Sequence, residues 1–499
     1  MKNALDDKLP VALYTAAGVR ELDRIAIEER GIAGITLMRR AAAACVAALQ
    51  RHWPAARRVT VFCGSGNNAG DGYIVAGMLA EKGCDVTVMV VGDPHKLGSD
   101  AAEAHRYCLA SEARVQPWEV GASIDGDVIV DALLGTGLTG QVRERYLAAV
   151  DDIAASARPV LAVDIPSGLS ADTGMRLGGA VVADVTVTFI GLKRGLFTLG
   201  GPDCAGLVEF APLDVPSDIY DRVAADSWRL QLPALLAEFP SRPKQAHKNL
   251  FGHVLVVGGD EGMGGAALMS AESALRVGAG LVSVATHPVH VGAILSRRPE
   301  LMVRGITSAP DLAPLLERVS VVVLGPGLGR SQWSSEVFAR VMQQIDVERQ
   351  SMILDADGLN LLSEHPQRRD NWVLTPHPGE AANLLQDRHI QEDRFAAVDQ
   401  LQEKFGGTVL LKGAGTVIAD GHARYLCPYG NPGMSTAGMG DVLSGVIGGL
   451  VAQGLSLSLA TRLGVCAHAA AGDDCAEAQG ERGLIATDLI PAIRKRVNR

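Results

Sequence analysis

Residues 59–72 read VTVFCGSGNNAGDG, a short run of β-branched and apolar residues that passes directly into four glycines. Glycine lets the backbone approach a phosphate group closely, and a helix that follows presents free N–H groups and the positive end of its dipole. The stretch therefore predicts a strand, a ligand-binding turn and a helix that begins near Tyr73. A plain tight turn is the alternative, which the two asparagines and the aspartate among the glycines disfavour. Gly64, Gly66 and Ala69 also fit the dinucleotide fingerprint, which is a weak signal alone.

The same alternation of β-branched runs and helical stretches continues through both halves of the chain. It predicts an α/β protein in which helices cover mostly parallel sheets. We expect helices from Thr15 to before Gly31, at 266–277 and at 442–452. The predicted strands are Val59–Cys63, Asp85–Val91, Val128–Ala132, Val160–Asp164 and Asp184–Ile190 in the first half, and His253–Gly259, Leu281–Ala285, Val319–Leu324, Met352–Leu354, Trp372–Leu374 and Val409–Lys412 in the second.

The length of 499 residues is too great for one hydrophobic core, so we expect two domains. Residues 211–250 carry prolines at positions 212, 216, 233, 240 and 243, several charges and no clear long element. Such a stretch is typical of a boundary between domains. We place this boundary near residue 225, with domains at 1–225 and 226–499.

Composition narrows the possible partners and compartments. The net charge of −10 is spread without a basic stripe, so nucleic acid is not an expected partner. Eight cysteines without CxxC spacing indicate reduced thiols, and the first ten residues do not resemble a signal peptide. The uncharged stretch Val442–Thr461 contains four glycines, which favours a buried helix and a turn over a membrane span. We expect a cytoplasmic homo-oligomer.

Two further strand ends in the first half carry carboxylates. Asp131 ends a run of apolar residues and precedes LGTGLTG at 134–140, and Asp164 ends another and precedes IPSG at 165–168. Ligands of open α/β sheets bind beyond the carboxyl ends of the strands. Carboxylates that face an Asn-rich turn there indicate either a monovalent cation or a general base. The absence of His and Cys disfavours a transition metal.

The motifs GSGNNAGDG (64–72), VDALLGTGLTG (130–140), VDIPSGL (163–169) and FIGLKRGL (189–196) resemble those of the NAD(P)HX epimerase family. The resemblance covers roughly residues 14–219. It implies a Rossmann-like fold and an enzyme that interconverts the R and S forms of reduced nicotinamide hydrated at ring carbon C6.

The resemblance also implies a role for individual residues. Potassium would be held by Asn68, Asp131 and Ser167, and Asp164 would be the acid/base group. Ala69 stands where the family commonly has glycine, and we expect it to restrict the loop without abolishing binding. Lys193 is a further candidate, for which a solvated loop lysine is an equally good interpretation. The implied substrate contacts are Asn67, Asn68, Ala69, Gly70, Asp71, Gly135, Thr136, Gly137, Leu138, Thr139, Gly140, Gln141 and Asp164.

The second half of the chain contains four glycine-rich turns. They read GGDEGMGGA (258–266), GPGLG (325–329), KGAGT (412–416) and NPGMSTAGMGD (431–441). Four such turns in one domain indicate an extended ligand that bears phosphate. The pattern GxxxxGK[ST] occurs nowhere in the sequence, so a P-loop enzyme is excluded.

The last of these turns carries the strongest signal. Gly438-Met439-Gly440 predicts a group of N–H donors at the start of the uncharged helix at 442–452, with Asp441 beside it. This arrangement stabilises a transferring phosphoryl group and supplies a base to the attacking hydroxyl. A helix-capping aspartate is the alternative. In TPHPGE at 375–380, His377 and Glu380 either contact a substrate or organise the loop, and we expect a contact.

Together with RVGAGLVSV (276–284) and DADGLN (355–360), these motifs resemble, in order, the ribokinase-like ADP- or ATP-dependent NAD(P)HX dehydratase family over roughly residues 226–497. The resemblance implies ADP as co-substrate, together with Mg²⁺, and a catalytic Asp441. The C6 hydroxyl would attack the terminal phosphate of ADP, and loss of phosphate would regenerate NAD(P)H. The implied substrate contacts are Ala266, Gly327 or Gly329, His377 and Asp441, and the implied nucleotide contacts are Lys412, Gly413, Ala414, Gly415, Thr416 and Gly440.

Two other classes of function stay open. The first is a ribokinase-type kinase for a small alcohol, fused to a Rossmann dehydrogenase. A stable phosphorylated product or hydride transfer would reveal it. The second is an N-terminal binding module that has lost catalysis, since a fold alone does not fix function. The presence of both Asp131 and Asp164 argues against this second class.

Overall fold

The computed structural model describes residues 9–498 of the chain. The chain forms two compact units, Met1–Trp228 and Arg229–Arg499. In each unit, α-helices flank a sheet whose central strands are parallel and buried. The α/β class predicted from the sequence is therefore confirmed.

The first unit contains short strands alternating with helices. Its helices are α1 (Ala16–Arg24), α2 (Gly34–His52), α3 (Asn67–Glu81), α4 (Ser99–Leu109), α5 (Glu144–Ala155) and α6 (Gly201–Ala205). Its strands are β1 (Ala12–Tyr14), β2 (Arg58–Cys63), β3 (Asp85–Val90), β4 (Arg114–Pro117), β5 (Val128–Ala132), β6 (Val160–Val163), β7 (Val185–Phe189), β8 (Leu192–Lys193) and β9 (Leu207–Ala211), and β10 (Ser227–Arg229) spans the division between the units.

Seven of these strands form one parallel sheet in the order β4-β3-β2-β5-β6-β7-β9. Cys63 pairs with Ala132, and Asp131 pairs with Ala162, so the carboxyl ends of β2, β5 and β6 lie side by side. The turns that follow these three strands therefore meet at one edge of the sheet. This edge holds three of the four motifs quoted for the first half of the sequence, at 64–72, 130–140 and 163–169.

The helix after β2 begins earlier than predicted. It starts at Asn67, with Gly66 extended as its N-cap, and not near Tyr73. The reason is close packing. A Cβ at Gly70 would overlap the side chain of Met38, and a Cβ at Gly72 would overlap that of Ala132. These two glycines therefore let the first turns of α3 approach neighbouring elements, whereas the sequence pattern alone suggested a longer loop.

The predicted first helix is confirmed. The Thr15 side chain accepts a hydrogen bond from the backbone N–H of Gly18 and caps α1. After Arg24 the helix continues as one widened turn, Ile25–Glu29. The inner face of the helix is buried, and it consists of Val19, Leu22, Ile25 and Ala26.

The second unit repeats the alternation with more helices. Its strands are β11 (His253–Val257), β12 (Leu281–Thr286), β13 (Met302–Gly305), β14 (Val321–Leu324), β15 (Ser351–Leu354), β16 (Trp372–Leu374), β17 (Thr408–Leu411), β18 (Thr416–Ala419) and β19 (Arg424–Cys427). Its helices are α7 (Leu232–Glu238), α8 (Gly264–Val277), α9 (Val291–Arg297), α10 (Ala313–Leu316), α11 (Gln332–Gln344), α12 (Asp357–Glu364), α13 (Pro378–Leu385), α14 (Arg394–Phe405), α15 (Met439–Ala452), α16 (Leu457–Gln479) and α17 (Ala486–Arg496).

These strands run in the order β13-β12-β11-β14-β15-β16-β17-β18-β19. The pairs from β13 to β17 are parallel, and β18 and β19 add an antiparallel hairpin. The sequence pattern missed β13, β18 and β19, and before them in the chain it missed β1, β4, β8, β9 and β10. Both β4 and β13 have mostly exposed residues, so neither contains the apolar run by which buried strands are recognised.

Helix α15 lies in the core of the second unit and packs against α8. It begins at Met439 and not at Val442, because Gly438 has a φ of 89° and ends the preceding loop in a left-handed conformation. At Gly445 a Cβ would overlap the backbone carbonyl oxygen of Ser270 in α8. The absence of a side chain at this position therefore permits the contact between the two helices.

Two further features concern the chain as a whole. All eight cysteines are free thiols, and six of them are buried. Within residues 9–498, no helix combines the length and apolar character needed to span a bilayer. The uncharged stretch at 442–461 forms the end of α15, a turn and the start of α16, as expected.

The packing of α15 on α8 predicts the effect of a glycine substitution. We expect Gly445→Ala to lower the free energy of unfolding of the second unit by about 1–3 kcal/mol, because the methyl group must displace backbone. Gly292→Ala in α9 is the matched control, since a Cβ there meets nothing within 4 Å. We expect this control to raise stability by about 0.5–1 kcal/mol. Urea unfolding measures both variants, and equal effects would contradict the proposed close contact.

Candidate functional sites

The first unit contains a cavity of about 620 Å³ at the carboxyl edge of its sheet. Side chains from α1, α2 and α3 line it together with the turns after β5 and β6. Ten of the residues predicted to contact a substrate are among its lining residues: Asn67, Asn68, Asp71, Gly135, Thr136, Gly137, Leu138, Thr139, Gln141 and Asp164.

Three other predicted contacts are not part of this lining. Ala69 is fully buried in the hydrophobic core beneath the cavity. Gly70 lies against Met38 and Ala101. Gly140 has a φ of 71° in the turn before α5. The structure thus gives Ala69 and Gly70 a packing position on α3, and the methyl group of Ala69 points into the core.

Asp164 is held at the wall of the cavity by a buried lysine. Lys193 is fully buried, and its ammonium group forms an ion pair with Asp164 Oδ1. The same ammonium donates hydrogen bonds to Thr188 Oγ1 at 3.1 Å and to the Phe189 carbonyl oxygen at 3.0 Å. All three N–H groups of Lys193 therefore have acceptors. The interpretation of Lys193 as a solvated loop lysine is wrong.

Two more carboxyl groups face the same cavity. Asp23 lies on α1 and Asp71 on α3, and the sequence pattern did not single out Asp23. Burial raises the pKa of Asp23 to about 6, with Lys193 opposing the shift and Asp164 adding to it. Burial and the charges of Asp164 and Asp23 raise the pKa of Asp71 well above its ordinary value. These carboxyl groups are therefore easier to protonate than free aspartates.

The three residues predicted to hold potassium belong to one hydrogen-bonded cluster around Ser167 and the Leu134 carbonyl oxygen. Asp131 is fully buried and accepts hydrogen bonds from the Ser167 hydroxyl at 2.6 Å and the Ser167 N–H at 2.8 Å. The Ser167 hydroxyl lies 3.2 Å from the Leu134 carbonyl oxygen, to which the Asn68 side-chain amide donates at 3.1 Å. Burial raises the pKa of Asp131 to about 6, and the hydrogen bonds from Ser167 oppose this shift.

This donor set suits a monovalent cation in its chemistry. It offers carboxylate, hydroxyl, amide and carbonyl oxygens around one buried acidic residue, and hard cations prefer oxygen ligands. A nearby cation would also offset the cost of burying the Asp131 carboxylate. Within residues 9–498, no group of three or more His, Cys, Asp or Glu side chains could hold a metal ion.

In the second unit, Asp441 lies in the first turn of α15 among other charged groups. Burial and the charge of Asp355 raise the pKa of Asp441 to about 7, against the opposing charge of Lys412. The Lys412 ammonium lies 2.9 Å from Asp355 Oδ1 and 3.7 Å from Glu380 Oε2. Burial opposes the charge of Lys412, but Asp355 and Glu380 raise its pKa above the ordinary value.

His377 caps α13 and is half exposed. Its Nδ1 accepts hydrogen bonds from the N–H groups of Gly379, at 2.9 Å, and Glu380, at 3.2 Å. The Glu380 carboxylate accepts in return from the His377 N–H at 2.7 Å. Burial and the charge of Lys412 lower the pKa of His377, in keeping with a neutral ring that accepts at Nδ1. The histidine thus organises the loop and still exposes part of its ring.

The glycine-rich turns of the second unit bring three predicted substrate contacts together. A Cβ at Gly327 would lie 3.0 Å from the methyl group of Ala266. A Cβ at Gly329 would lie 2.8 Å from the side chain of Met263, which also borders Gly327. Asp357 accepts a hydrogen bond from the Gly329 N–H at 2.8 Å. The turns after β11 and β14 and the start of α12 therefore form one surface.

An arginine that the sequence pattern missed holds the turn KGAGT after β17 in place by hydrogen bonds. Arg394, on α14, is buried and donates to the carbonyl oxygens of Leu411 at 3.0 Å and Lys412 at 3.3 Å. Gly413 and Ala414 are exposed, whereas the side chain of Lys412 points towards Asp355. A Cβ at Gly440 would lie 3.2 Å from the Lys412 ammonium. Lys412 therefore links the predicted nucleotide turn to the N-terminus of α15.

A second cavity, of about 640 Å³, lies beside these turns. Arg330 and Gly379 are among its lining residues, and they neighbour the predicted contacts Gly329 and His377 in sequence. Arg388 and Asn360 contribute further polar groups.

Comparison with known proteins agrees with this division of sites. The family model described as NAD(P)H-hydrate dehydratase matches residues 254–495, and the model described as YjeF-related protein N-terminus matches residues 34–195. Both matches lie within the two halves for which the sequence motifs gave the corresponding resemblances.

Relatives match over almost the full length. The bifunctional NAD(P)H-hydrate repair enzyme of Coxiella burnetii is 48% identical, over 97% of this chain and 99% of its own. The enzymes of the same description from Escherichia coli and Vibrio cholerae are 39% and 38% identical, over 98% of this chain in each case and 95% and 99% of their own. The fold and these relatives define a two-domain α/β enzyme. The chain belongs to the family of bifunctional NAD(P)H-hydrate repair enzymes.

Solved structures confirm the predicted fold of the second unit. A ribokinase-like superfamily protein from Enterococcus faecalis is 31% identical with a TM-score of 0.51, covering 54% of this chain and 94% of that one. A hypothetical protein from Streptococcus mutans is 28% identical with the same TM-score, covering 54% of this chain and 99% of that one.

The buried ion pair predicts a pH-dependent loss of stability. We expect Lys193→Met to lower the free energy of unfolding of the first unit by about 3–5 kcal/mol at neutral pH, because Asp164 loses its partner. Lys193 also stabilises the ionised forms of Asp23 and Asp71, whose pKa is raised in the folded state. A carboxyl group of this kind favours folding at low pH and disfavours it as the pH rises through its pKa. The loss should therefore grow from about pH 4 to above pH 6.

The control is Lys96→Met in the same unit, where the lysine side chain is 76% exposed. We expect this variant to stay within about 0.5 kcal/mol of the wild type. Denaturant unfolding at several pH values measures both. Equal stability of the two variants at pH 7 would contradict the structural role given to Lys193.

Proposed function

We propose that residues 1–225 interconvert the R and S hydrates of NADH and NADPH, and that residues 226–499 dehydrate the S form to NAD(P)H. The observation that carries this proposal is the position of Asp441. It is an acid with a pKa raised to about 7, at the N-terminus of the buried helix α15 and beside the Lys412–Asp355 ion pair. The relatives over the full chain are described as enzymes that repair these hydrates, which supports the same assignment.

In the proposed dehydration, Asp441 takes the proton of the C6 hydroxyl as that oxygen attacks the terminal phosphorus of ADP. A general base works best when its pKa lies near the working pH, and the environment of Asp441 favours this. The free N–H groups at the start of α15 would stabilise the charge of the phosphoryl group. AMP leaves, and loss of phosphate, driven by the electron pair of the ring nitrogen, gives NAD(P)H.

We propose ADP as the phosphate donor, bound along Lys412, Gly413, Ala414, Gly415 and Thr416 and at Gly440. Exposed backbone at Gly413 and Ala414 and the close approach of Gly440 to Lys412 support this position. Mg²⁺ accompanies the nucleotide in this proposal, because it neutralises the charge of transferring phosphates. Ala266, Gly327 or Gly329, and His377 are proposed to contact the hydrated nicotinamide.

For the first unit we propose that Asp164 is an acid/base group and that Asn68, Asp131 and Ser167 hold potassium. Asn68 and Ser167 both contact the Leu134 carbonyl oxygen, at the start of the turn that lines the cavity, and Asp131 is hydrogen-bonded to Ser167. A cation there would fix this turn against α3 and so shape the substrate site. A cytoplasmic location and a homo-oligomer remain predictions.

Two variants in the full chain test the division of labour. Asp164→Asn should stop epimerisation and leave dehydration of the S hydrate unchanged. Asp441→Asn should do the reverse, with dehydration slowed about 10²–10⁴-fold, the usual contribution of a positioned base. In the wild type, kcat/KM for dehydration should rise as the pH increases through about 7, because the base must be deprotonated. Absorbance of NADH and chromatography of purified R and S hydrates measure the two reactions.

Each variant serves as the control for the other, and calorimetry with ADP shows whether Asp441→Asn still binds the nucleotide. Near-normal dehydration by Asp441→Asn would remove its role as base. Loss of ADP binding in that variant would make Asp441 part of the nucleotide site instead. A stable phosphorylated product in the wild type would favour a kinase over a dehydratase.

Potassium should accelerate epimerisation by the wild type. We expect Asp131→Ala to abolish this dependence, since it removes the only acidic side chain among the proposed ligands. Rates in potassium and in tetramethylammonium buffers of equal ionic strength measure the effect, and dehydration of the S hydrate in the same samples is the control. An Asp131→Ala variant that responds to potassium like the wild type would contradict the assignment.

A further inference from the structure

Asp23 is a carboxyl group of the first cavity to which no role has been assigned. It lies on α1, whereas Asp164 follows β6, so the two carboxyl groups enter the cavity from different elements. Among residues 9–498, Asp23 has no hydrogen-bond or ion-pair partner. Asp23 is partly exposed, so its carboxyl group can be reached from the cavity that it lines. An unpaired acid at the wall of a cavity is available to a ligand.

The ammonium group of Lys193 is occupied by partners within the protein. Its three N–H groups are directed to Asp164, Thr188 and the Phe189 carbonyl oxygen. The ion pair holds the Asp164 carboxyl group at the cavity wall, where it can act on a ligand. A reaction that needs both an acid and a base in this cavity therefore needs a second group.

Inversion at C6 is such a reaction. For the hydroxyl to leave one face it must receive a proton and depart as water, because hydroxide is a poor leaving group. The electron pair of the ring nitrogen forms a double bond to C6 as the C6–O bond breaks. A water molecule then adds to the other face of C6, the ring nitrogen regains its electron pair, and the base takes the released proton. The product is the other epimer, without oxidation or reduction.

Resting on the proposed epimerase function, we infer that Asp23 is the second catalytic acid/base group of the first site and works opposite Asp164. In one direction Asp23 gives its proton to the departing hydroxyl, and the Asp164 carboxylate accepts the proton of the entering water. In the other direction the roles are exchanged. At any time, one of the two groups carries the proton that is transferred. After each turnover, proton exchange with solvent restores the starting protonation states.

The charges around Asp23 support this role. Asp71 and Asp164 act on Asp23 as like charges and Lys193 acts as an opposite charge. The lining of the cavity also contains the charged residues Arg20, Arg143 and Asp100. Three carboxyl groups around one ammonium favour the retention of a proton by one of them. The pKa of Asp23, about 6, lies closer to neutrality than an ordinary aspartate pKa. The surplus of negative charge would also stabilise the positively charged ring that forms when the hydroxyl leaves.

The test is epimerisation of purified R hydrate by the full chain without ADP, followed by separation of the epimers. We expect Asp23→Asn to lower kcat about 10²–10⁴-fold with little change in KM. In the wild type, kcat/KM should have a limb that falls as the pH rises through about 6, because the acid must be protonated. This limb should be absent in Asp23→Asn. In ¹⁸O-labelled water, each inversion should place one labelled oxygen at C6.

The matched control is Glu28→Gln, which removes a carboxylate from the turn after α1, where the side chain is 63% exposed. We expect wild-type rates from it. Full activity of a folded Asp23→Asn, or loss of the pH limb in Asp71→Asn but not in Asp23→Asn, overturns the inference. If Asp23→Asn does not fold, the wild type still decides, because inversion without ¹⁸O incorporation or without the falling limb excludes this mechanism. A wild type that does not epimerise at all overturns the proposed function instead.

Discussion

Both sites depend on one constraint. At the carboxyl edge of each sheet, the backbones of turns that follow neighbouring strands must come into close contact. A Cβ at Gly64 would overlap the Leu133 carbonyl oxygen, and one at Gly258 would overlap that of Pro326. Gly325 is in the same position against Asp355. In each case a glycine lets the turn after one strand contact the turn after its neighbour. Residues far apart in sequence, such as Asn68 and Ser167, can meet only because these turns are in contact.

The two sites share an electrostatic arrangement on different folds. Each places one lysine in an ion pair with one aspartate, Lys193 with Asp164 and Lys412 with Asp355. Each leaves further carboxyl groups nearby whose pKa is raised, Asp23 in the first site and Asp441 in the second. The lysine keeps the cluster folded, while the surplus of carboxyl groups provides acids and bases that change charge near neutral pH. A site in which every carboxylate had its own cation would be more stable and less reactive.

Much of this architecture follows from sequence pattern, because buried strands and glycine turns have local signatures. The strands that form the centre of each sheet were predicted to within two residues at almost every end. The starts of α3 and α15 were predicted too late in the chain. A glycine near a helix start can belong to a loop or to a closely packed helix, and its neighbours in space decide which. Edge strands such as β4 and β13 were missed because exposed residues carry no apolar period.

Prediction of the site residues from the sequence had similar limits. Asp131 and Asp164 lie at the ends of strands and Asp441 lies at the start of a helix, each in a recognisable motif, so their positions could be predicted. Lys193 was ambiguous, because no local pattern distinguishes a solvated lysine from one that is fully buried beside an aspartate. Asp23 lies between the apolar positions of an ordinary amphipathic helix, where an acidic residue normally faces solvent. Only the tertiary structure turns that polar position towards the cavity, so a functional role for Asp23 is a property of the fold and not of its local sequence.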